Sequence, residues 1–240
     1  MRESLADYGG QRRSTSGLVG GDGLKMQRQR EAGAVLAGDF MGRVMEIALK
    51  VSESNACMQR VVAAPTAGSC GVLPAVLLAM QEARGFDDAK MTEALFVAAG
   101  VGGVIASRAS LSGAEGGCQA EIGSASAMAA ASLVYLAGKD GAAIANAAAL
   151  ALKNLLGLAC DPVGGLVEVP CVKRNVIGAV NAVAAADMTL AGIESRIPPD
   201  EVIDAMRSIG RGMSDAIRET GKGGLAGTPS GVAVRIRMAK

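Results

Sequence analysis

The sequence predicts an all-α protein, and its composition is the main reason. Half of the 240 residues are hydrophobic, but only three Phe, two Tyr and no Trp are present. The core must therefore be built from Ala, Val, Leu, Ile and Met, whose small or straight side chains let helices approach closely, whereas sheets favour β-branched and aromatic residues. The chain is long enough for one sizeable core, and no linker or internal repeat divides it. We expect a single helical domain over residues 1–240, with long Gly/Ser-rich loops between its helices.

Apolar residues at helical spacing predict the elements of the first half. Residues 1–13 look irregular, and Asp22 is placed to cap the helix that follows. The apolar face of that helix is formed by Leu36, Phe40, Val44, Ile47 and Val51. The expected elements are a helix over 22–51, a short helix over 55–63, a loop over 64–71, a helix over 72–85 and a helix up to 107 that is capped by Asp87 or Asp88.

Ala-rich segments alternate with Gly-rich loops in the second half. The expected elements are a loop over 110–117, helices over 118–135 and 140–157, a loop over 159–170, and helices over 171–191 and 199–219. The last helix has a start signal at Pro199 and a stop signal at Gly221. Its apolar stripe is formed by Val202, Met206, Ile209, Met213 and Ile217.

Charge and hydropathy exclude two classes of partner. The 24 basic and 23 acidic residues are scattered, so no basic face for nucleic acid is predicted. Residues 61–81 and 122–138 carry no charge, but Pro, Thr and Ser interrupt them, whereas a membrane span needs about 20 mostly apolar residues. The polar opening residues do not resemble a signal peptide, which predicts a cytoplasmic protein.

The five cysteines are the residues most able to carry chemistry, because the chain has no histidine. An odd number of cysteines without a secretion signal argues against a disulfide framework. We interpret Cys57 as a small buried hydrophobic residue. The others lie in or beside Gly/Pro-rich loops, at Cys70, Cys118, Cys160 and Cys171.

Three of these cysteines have metal-binding features. Cys118 and Cys171 each open a predicted helix, where the helix dipole lowers the pKa of a thiol. Cys160 is predicted to end a helix, so that one loop can return it beside Cys171. Without histidine or a CxxC pair, an iron–sulfur cluster or a zinc–thiolate site remains. Three separated thiolates suit a cluster with one open iron, a Lewis acid for a hydroxyl leaving group.

Three segments closely resemble a known family. They read APTAGS at 64–69, GAEGGCQAEIGSA at 113–125 and CDPVGGLVEVPCVKRN at 160–175. These motifs are similar to those of the iron–sulfur-dependent bacterial L-serine dehydratases, in their α subunit or the equivalent catalytic domain. The resemblance extends from about Ser14 to Gly227.

This resemblance implies an all-α catalytic domain that converts L-serine to pyruvate and ammonia without pyridoxal phosphate. It also implies a [4Fe–4S] cluster on Cys118, Cys160 and Cys171. In this family a β domain or subunit carries a Ser-Ser-Ser-His-Thr-type motif near the active site. Because this chain has no histidine, we expect a separate β subunit and a hetero- or homo-oligomer.

Charged residues near the motifs suggest substrate contacts. Arg174 suits a substrate carboxylate, because a guanidinium binds it bidentately, or it is a surface arginine. Lys173 is a weaker candidate, since it points about 100° away on the same helix. Glu121 is either a base, a residue that orients one, or a buried acid. Cys70 is a fourth ligand, a neighbour of the cluster, or inert.

Two polar loops complete the predicted site. Thr66, Gly68 and Ser69 could bind a carboxylate through backbone N–H groups, or could cap the helix that begins at residue 72. Ser112 and Gly113 could contribute similarly from the loop before Cys118.

Three other functions fit parts of the pattern. The first is a cluster-dependent hydro-lyase that acts on a hydroxy acid. The second is a non-catalytic zinc- or cluster-binding subunit that holds a partner. The third is a pyridoxal phosphate enzyme that uses Lys153 or Lys173.

Overall fold

Eleven α-helices and no β-strand occur in the computed structural model, which describes residues 1–239, and the all-α prediction is confirmed. In chain order the helices are α1 (Arg2–Ala6), α2 (Asp22–Glu31), α3 (Gly38–Ala56), α4 (Val72–Arg84), α5 (Asp88–Arg108), α6 (Gly113–Gly116), α7 (Ser124–Leu136), α8 (Gly141–Lys153), α9 (Cys171–Leu190), α10 (Pro199–Gly212) and α11 (Pro229–Met238). Single turns of other helix types are a π-turn at Gln119–Gly123 and 3₁₀ turns at Ala67–Ser69, Val163–Gly165, Asp215–Ile217 and Gly224–Gly227.

Helix α7 is the centre of the packing, and all of its residues except Tyr135 are buried. Helices α4, α5, α8 and α9 contact it, α3 packs on α4 and α9, and α2 packs on α3. A helix buried on every side needs apolar residues around its whole circumference. The Ala-rich sequence of α7 meets this need, and its small side chains let four neighbouring helices approach.

Two serines of α7 are compatible with this burial because backbone carbonyl oxygens accept hydrogen bonds from their hydroxyl groups. Ser132 Oγ donates to the carbonyl oxygen of Ala94 on α5 at 2.9 Å, and Ser126 Oγ donates to that of Gly178 on α9 at 2.8 Å. A buried hydroxyl without a partner would be costly. These bonds therefore join α7 to two of its neighbours at defined positions.

The predicted helix over 22–51 is wrong, because it is broken between α2 and α3. Gly33 has φ +67°, and its N–H donates to the carbonyl of Arg30 while Ala34 N–H donates to that of Gln29. This pair of bonds is a glycine-dependent helix end. Leu36 consequently lies in the connection, fully exposed rather than in the core. Asp22 is the first residue of α2, after a Gly21 N-cap, and does not cap it.

Other boundaries also differ from prediction. The separate short helix predicted over 55–63 does not form. Instead, α3 continues to Ala56, and Met58 has φ +57°. The helix predicted over 118–135 starts with the π-turn, and that over 140–157 ends at Lys153. Helix α10 ends at Gly212, so the last two residues of its predicted stripe lie beyond it. Helices α1, α6 and α11 were not predicted, and α6 lies within the expected loop over 110–117.

Helix α5 is long and apolar enough to cross a membrane, and only 28% of its apolar window is buried inside the molecule. Core helices of soluble proteins meet the same criteria, so one such helix is weak evidence. Of the two uncharged stretches in the sequence, one contains most of α4 and the other most of α7, and both helices are extensively buried in the core.

A buried carboxylate joins α2 to α3. Glu46 on α3 is fully buried and accepts from Arg30 Nε at 2.8 Å, Arg43 Nη1 at 2.6 Å and Lys50 Nζ at 2.6 Å. Burial alone would raise the pKa of Glu46, but its bonds with Lys50 and Arg30 and the charge of Arg43 outweigh this effect and lower it. The ionised carboxylate therefore stabilises the fold.

We expect Glu46→Gln to lower the free energy of unfolding by about 3 kcal/mol at pH 7, because three cations would lose their shared partner. The pKa of Glu46 is lowered in the folded protein, so this contribution is present above the ordinary value of 4.5 and is lost as the pH falls through the folded pKa. Urea unfolding at several pH values measures both effects.

The control is Glu82→Gln, which removes an exposed carboxylate from the same Arg43. An exposed pair contributes below about 1 kcal/mol. Equal losses of unfolding free energy in the two variants would show that the burial of Glu46 adds nothing to stability.

Candidate functional site

Three cysteine thiols from separate parts of the chain meet in the interior. Cys118, Cys160 and Cys171 are all buried. The Cys118 and Cys160 thiols are near enough for each to shift the pKa of the other, and the charge of Cys171 also affects the pKa of Cys160. These are the three cysteines that the sequence analysis selected as ligands.

Backbone hydrogen bonds bring the segments that carry Cys118 and Cys160 together. Gln119 N–H, directly after Cys118, donates to the carbonyl of Leu158 at 3.0 Å. Cys160 N–H donates to the carbonyl of Ile217 at 2.8 Å, and Glu219 N–H donates to the carbonyl of Cys160 at 2.7 Å. Cys160 therefore sits in an extended pairing and not at a helix end, which corrects the prediction.

Cys171 is the first residue of α9, as predicted, and Asn175 positions this helix end. The Asn175 amide donates to the carbonyls of Cys171 at 2.9 Å and Gly68 at 2.8 Å, and its oxygen accepts from Gly71 N–H at 2.7 Å. One buried amide thus joins α9 to the 64–71 loop.

The three thiols differ in acidity. The neighbouring Cys160 thiol lowers the pKa of Cys118, the nearby Arg174 guanidinium lowers it further, and the Cys118 thiol raises the pKa of Cys160. Burial raises the pKa of Cys171 to about 12. The lowered pKa expected from a helix N-terminus is therefore wrong for Cys171. At Cys118 it occurs, but a neighbouring thiol and a cation cause it.

The donor set fits one of two kinds of metal centre. Among residues 1–239, no group of three or more His, Cys, Asp or Glu side chains is placed to hold a single ion. An iron–sulfur cubane binds each thiolate to a different iron, so its ligands need not converge on one point. Three buried thiols without a histidine or a fourth neighbouring cysteine fit this second kind of centre.

Arg174 lies beside the thiols rather than at the surface. Its Nη1 donates to the carbonyl of Ala159 at 2.6 Å, its Nη2 lies 2.9 Å from Asp161 Oδ1, and its positive charge acts on the nearby Cys118 thiol. A guanidinium has five N–H donors, more than these three partners use. Arg174 can therefore support a thiolate and still bind a further anion.

Glu121 is also brought to the site, on the π-turn, and is only 9% exposed. Thr66 Oγ1 donates to its Oε1 at 2.7 Å, and the Cys160 thiol lies 4.0 Å from its Oε2. Burial raises the pKa of Glu121, the Thr66 hydroxyl opposes this shift, and the negative charge of Glu219 adds to it.

The 64–71 loop is placed against Glu121. A Cβ atom on Gly68 would lie 2.7 Å from Glu121 Oε1, so glycine permits this close approach. Ser69 and Thr66 form a capping box around the Ala67–Ser69 turn. The alternative that these residues cap the helix beginning at residue 72 is therefore wrong, because α4 has no side-chain cap and the capping box belongs to this shorter turn.

The loop before Cys118 contributes one residue directly. Gly113 is buried against Glu121 and Cys160. The Ser112 side chain accepts from Ala114 N–H at 3.2 Å and caps α6.

Three further residues have other surroundings. The ammonium of Lys173 pairs with Asp22 and is about half exposed. Cys70 is buried, and burial raises its pKa to about 12. Cys57 is half-buried at the end of α3. None of the three is among the neighbours that shift the pKa values of the three site thiols.

Several residues of the site were not predicted from the sequence: Asp161, Glu168 and Asn175 lie in the 160–175 motif, whereas Glu219 and Arg237 lie outside the three motifs. Glu168, in the loop between Cys160 and Cys171, is buried and accepts hydrogen bonds from the Ser14 and Ser16 hydroxyls. Arg237 on α11 donates to the carbonyl of Ser16 at 2.8 Å. The others, described above, are Asp161, Asn175 and Glu219. The sequence signal that could have identified the residues in the motif is the occurrence of acidic and amide residues beside glycines.

Comparison with known proteins identifies the family of the chain. The model of the family "Serine dehydratase alpha chain" matches residues 1–226. The chain is 55% identical to the "Probable L-serine dehydratase, alpha chain" of Bacillus subtilis (strain 168), over 91% of this chain and 73% of that one. It is 46% identical to the "L-serine dehydratase, alpha chain" of Peptoniphilus asaccharolyticus, over 91% and 75%.

A longer relative also matches. An L-serine dehydratase of Escherichia coli (strain K12) is 48% identical over 75% of this chain, which corresponds to 40% of that protein. The match of the family model over 226 residues, together with these identities, shows that the chain belongs to the serine dehydratase alpha chain family.

Proposed function

We propose that this chain is the catalytic part of an enzyme that dehydrates and deaminates L-serine to pyruvate and ammonia, with a [4Fe–4S] cluster bound by Cys118, Cys160 and Cys171. The observation that carries the proposal is the meeting of these three buried thiols beside Arg174 and Glu121. The names of the relatives support serine as the substrate. We further propose a separate β chain as partner and a cytoplasmic location.

When bound, the cluster would supply a Lewis acid for the hydroxyl group that leaves serine. The residues of this chain prepare the surroundings. Cys118 is the most readily ionised of the three thiols, since Cys160 and Arg174 lower its pKa. Arg174, braced by Asp161 and the Ala159 carbonyl, retains donors for the substrate carboxylate.

Glu121 is proposed to bind and orient rather than to act as the base. One of its oxygens accepts from Thr66 and the other faces Cys160. The base that removes the Cα proton is assigned to the His-containing motif of the β partner. Loss of water from serine then leaves an enamine, whose hydrolysis releases pyruvate and ammonia.

We expect Cys118→Ser, Cys160→Ser and Cys171→Ser each to lose bound iron, sulfide and activity together, because a hydroxyl is a poor ligand for iron in such clusters. The measurement is iron and sulfide analysis after anaerobic reconstitution, followed by a pyruvate assay with a β-type partner. Cys57→Ser is the matched control and should keep both properties.

Two results would contradict this assignment. Zinc without iron or sulfide would identify a metal-binding scaffold instead. Turnover of a 2-hydroxy acid, with no pyruvate from serine, would identify the related hydro-lyase activity.

We expect Arg174→Lys to raise the KM for L-serine about tenfold or more, since lysine cannot bind a carboxylate bidentately. Iron content should stay near that of the unaltered protein. The neighbouring Lys173→Gln should leave KM unchanged, because its ammonium pairs with Asp22. An equal rise in both variants would refute a specific role for Arg174.

A further inference from the structure

A cavity of about 390 Å³ is lined by residues of α10, α6 and the segment that follows α5. This volume is within the range of about 300–1,000 Å³ that is usual for small-molecule sites. Two contacts fix its walls. A Cβ atom on Gly210 of α10 would lie 2.8 Å from Gly116 Cα of α6, so glycine permits this close approach, and the Gln119 amide donates to the carbonyl of Met206 at 3.0 Å. The cavity is therefore formed by closely packed elements.

Three arginines line this cavity, which we call the arginine cavity. Arg207 and Arg211 belong to α10, and Arg218 follows the 3₁₀ turn Asp215–Ile217. Residues four apart lie on the same face of a helix, so Arg207 and Arg211 are neighbours on α10. Of the lining residues, all of which lie within residues 1–239, only Glu115 is acidic. The lining thus carries three positive charges and one negative charge.

Two of the three arginines are weakly neutralised. Arg207 lies 3.5 Å from Asp204, whose other oxygen lies 2.7 Å from Arg108, so one carboxylate is shared by two cations. Arg211 forms no ion pair with any of residues 1–239. Guanidinium groups that line one cavity repel one another, and an anion between them removes this repulsion.

Arg218 and Ser110 have hydrogen-bond donors to spare. Arg218 pairs through Nη2 with Asp215, which is largely exposed, but its Nε is buried and has no hydrogen-bond partner in the described part of the chain. Ser110, also in the lining, accepts through Oγ from Ser112 N–H at 3.0 Å, which leaves its hydroxyl hydrogen for another acceptor. A buried N–H group without an acceptor is costly. An anion held at Arg218 would supply that acceptor.

We propose that the arginine cavity binds a small phosphate monoester, with the phosphate group on Arg207, Arg211 and Arg218. A phosphate group has three strong acceptor oxygens and a charge of about −1.5 to −2 at pH 7, whereas a single guanidinium can occupy both oxygens of a carboxylate. Three guanidinium groups therefore match a phosphate group better. Apolar side chains in the lining, among them Ala109 and Met206, would contact the organic part of the ligand.

This inference goes beyond the proposed function, because none of the residues assigned to the serine site lines the arginine cavity. The test is isothermal titration calorimetry of the full chain, alone and with its β-type partner, against glycerol 3-phosphate, inorganic phosphate and succinate. We expect glycerol 3-phosphate to bind most tightly. Its dissociation constant should rise with ionic strength, because salt screens the attraction between exposed charges.

Three variants assign the binding to these residues. Arg211→Gln should raise the dissociation constant of glycerol 3-phosphate about tenfold or more, since a charged hydrogen-bond donor is lost. Arg211 is exposed, so this variant should fold normally. Glu115→Gln should lower the dissociation constant, because the phosphate group then meets no like charge in the lining. The matched control is Arg28→Gln, which removes an exposed arginine from α2 and should change nothing.

Several outcomes would overturn the inference. The first is no binding of glycerol 3-phosphate, or equal weakening by Arg211→Gln and Arg28→Gln. The second is binding of succinate or inorganic phosphate as tightly as the ester, which would assign the cavity to another anion. Loss of binding in the presence of the β-type partner would assign the arginines to the interface, and displacement by L-serine would assign them to the substrate site. A failure of serine turnover would refute the proposed function but would leave the calorimetric result intact.

Discussion

The site depends on the backbone pairing between Cys160 and the segment 217–219. Two hydrogen bonds, one in each direction, hold the extended Cys160 against a stretch that follows α10. They hold the Cys160 thiol near Cys118 and bring Glu219 to the same position. This pairing fixes the path of the loop between α8 and α9 at Cys160. The helices provide rigid ends for the segments that carry the cysteines, and this short backbone pairing determines where those segments meet.

The two buried glutamates illustrate different uses of the same side chain. Glu46 is surrounded by cations from α2 and α3, and its charge is neutralised inside the fold. Glu121 has neutral partners and a second acid instead. The first arrangement stabilises the structure, whereas in the second no cation among the described residues neutralises the charge of Glu121. A buried acid in such surroundings is expected where a ligand completes the site.

Much of the fold could be predicted from the sequence, because most helices have long apolar faces. Helices α4, α5 and α9 lie close to their predicted limits. The errors occur where local backbone chemistry competes with periodicity, as at Gly33, which ends α2 although the apolar spacing continues. The three cysteines were identified from their motifs, but Glu219 was not assigned a role. Its approach to Gly113 results from a pairing of residues that are far apart in sequence, which no spacing rule detects.

The hydrogen bonds of Glu168 have a consequence for the whole chain. They connect the segment 14–16 to the loop between Cys160 and Cys171, and Arg237 of α11 holds the same segment from the other side. Residues near both extremes of the sequence therefore brace one interior loop. Fraying of α11 would loosen Ser16, then Glu168, and finally the approach of Cys171 to its neighbours. The order of α11 and the arrangement of the three site thiols are thus parts of one cooperative unit.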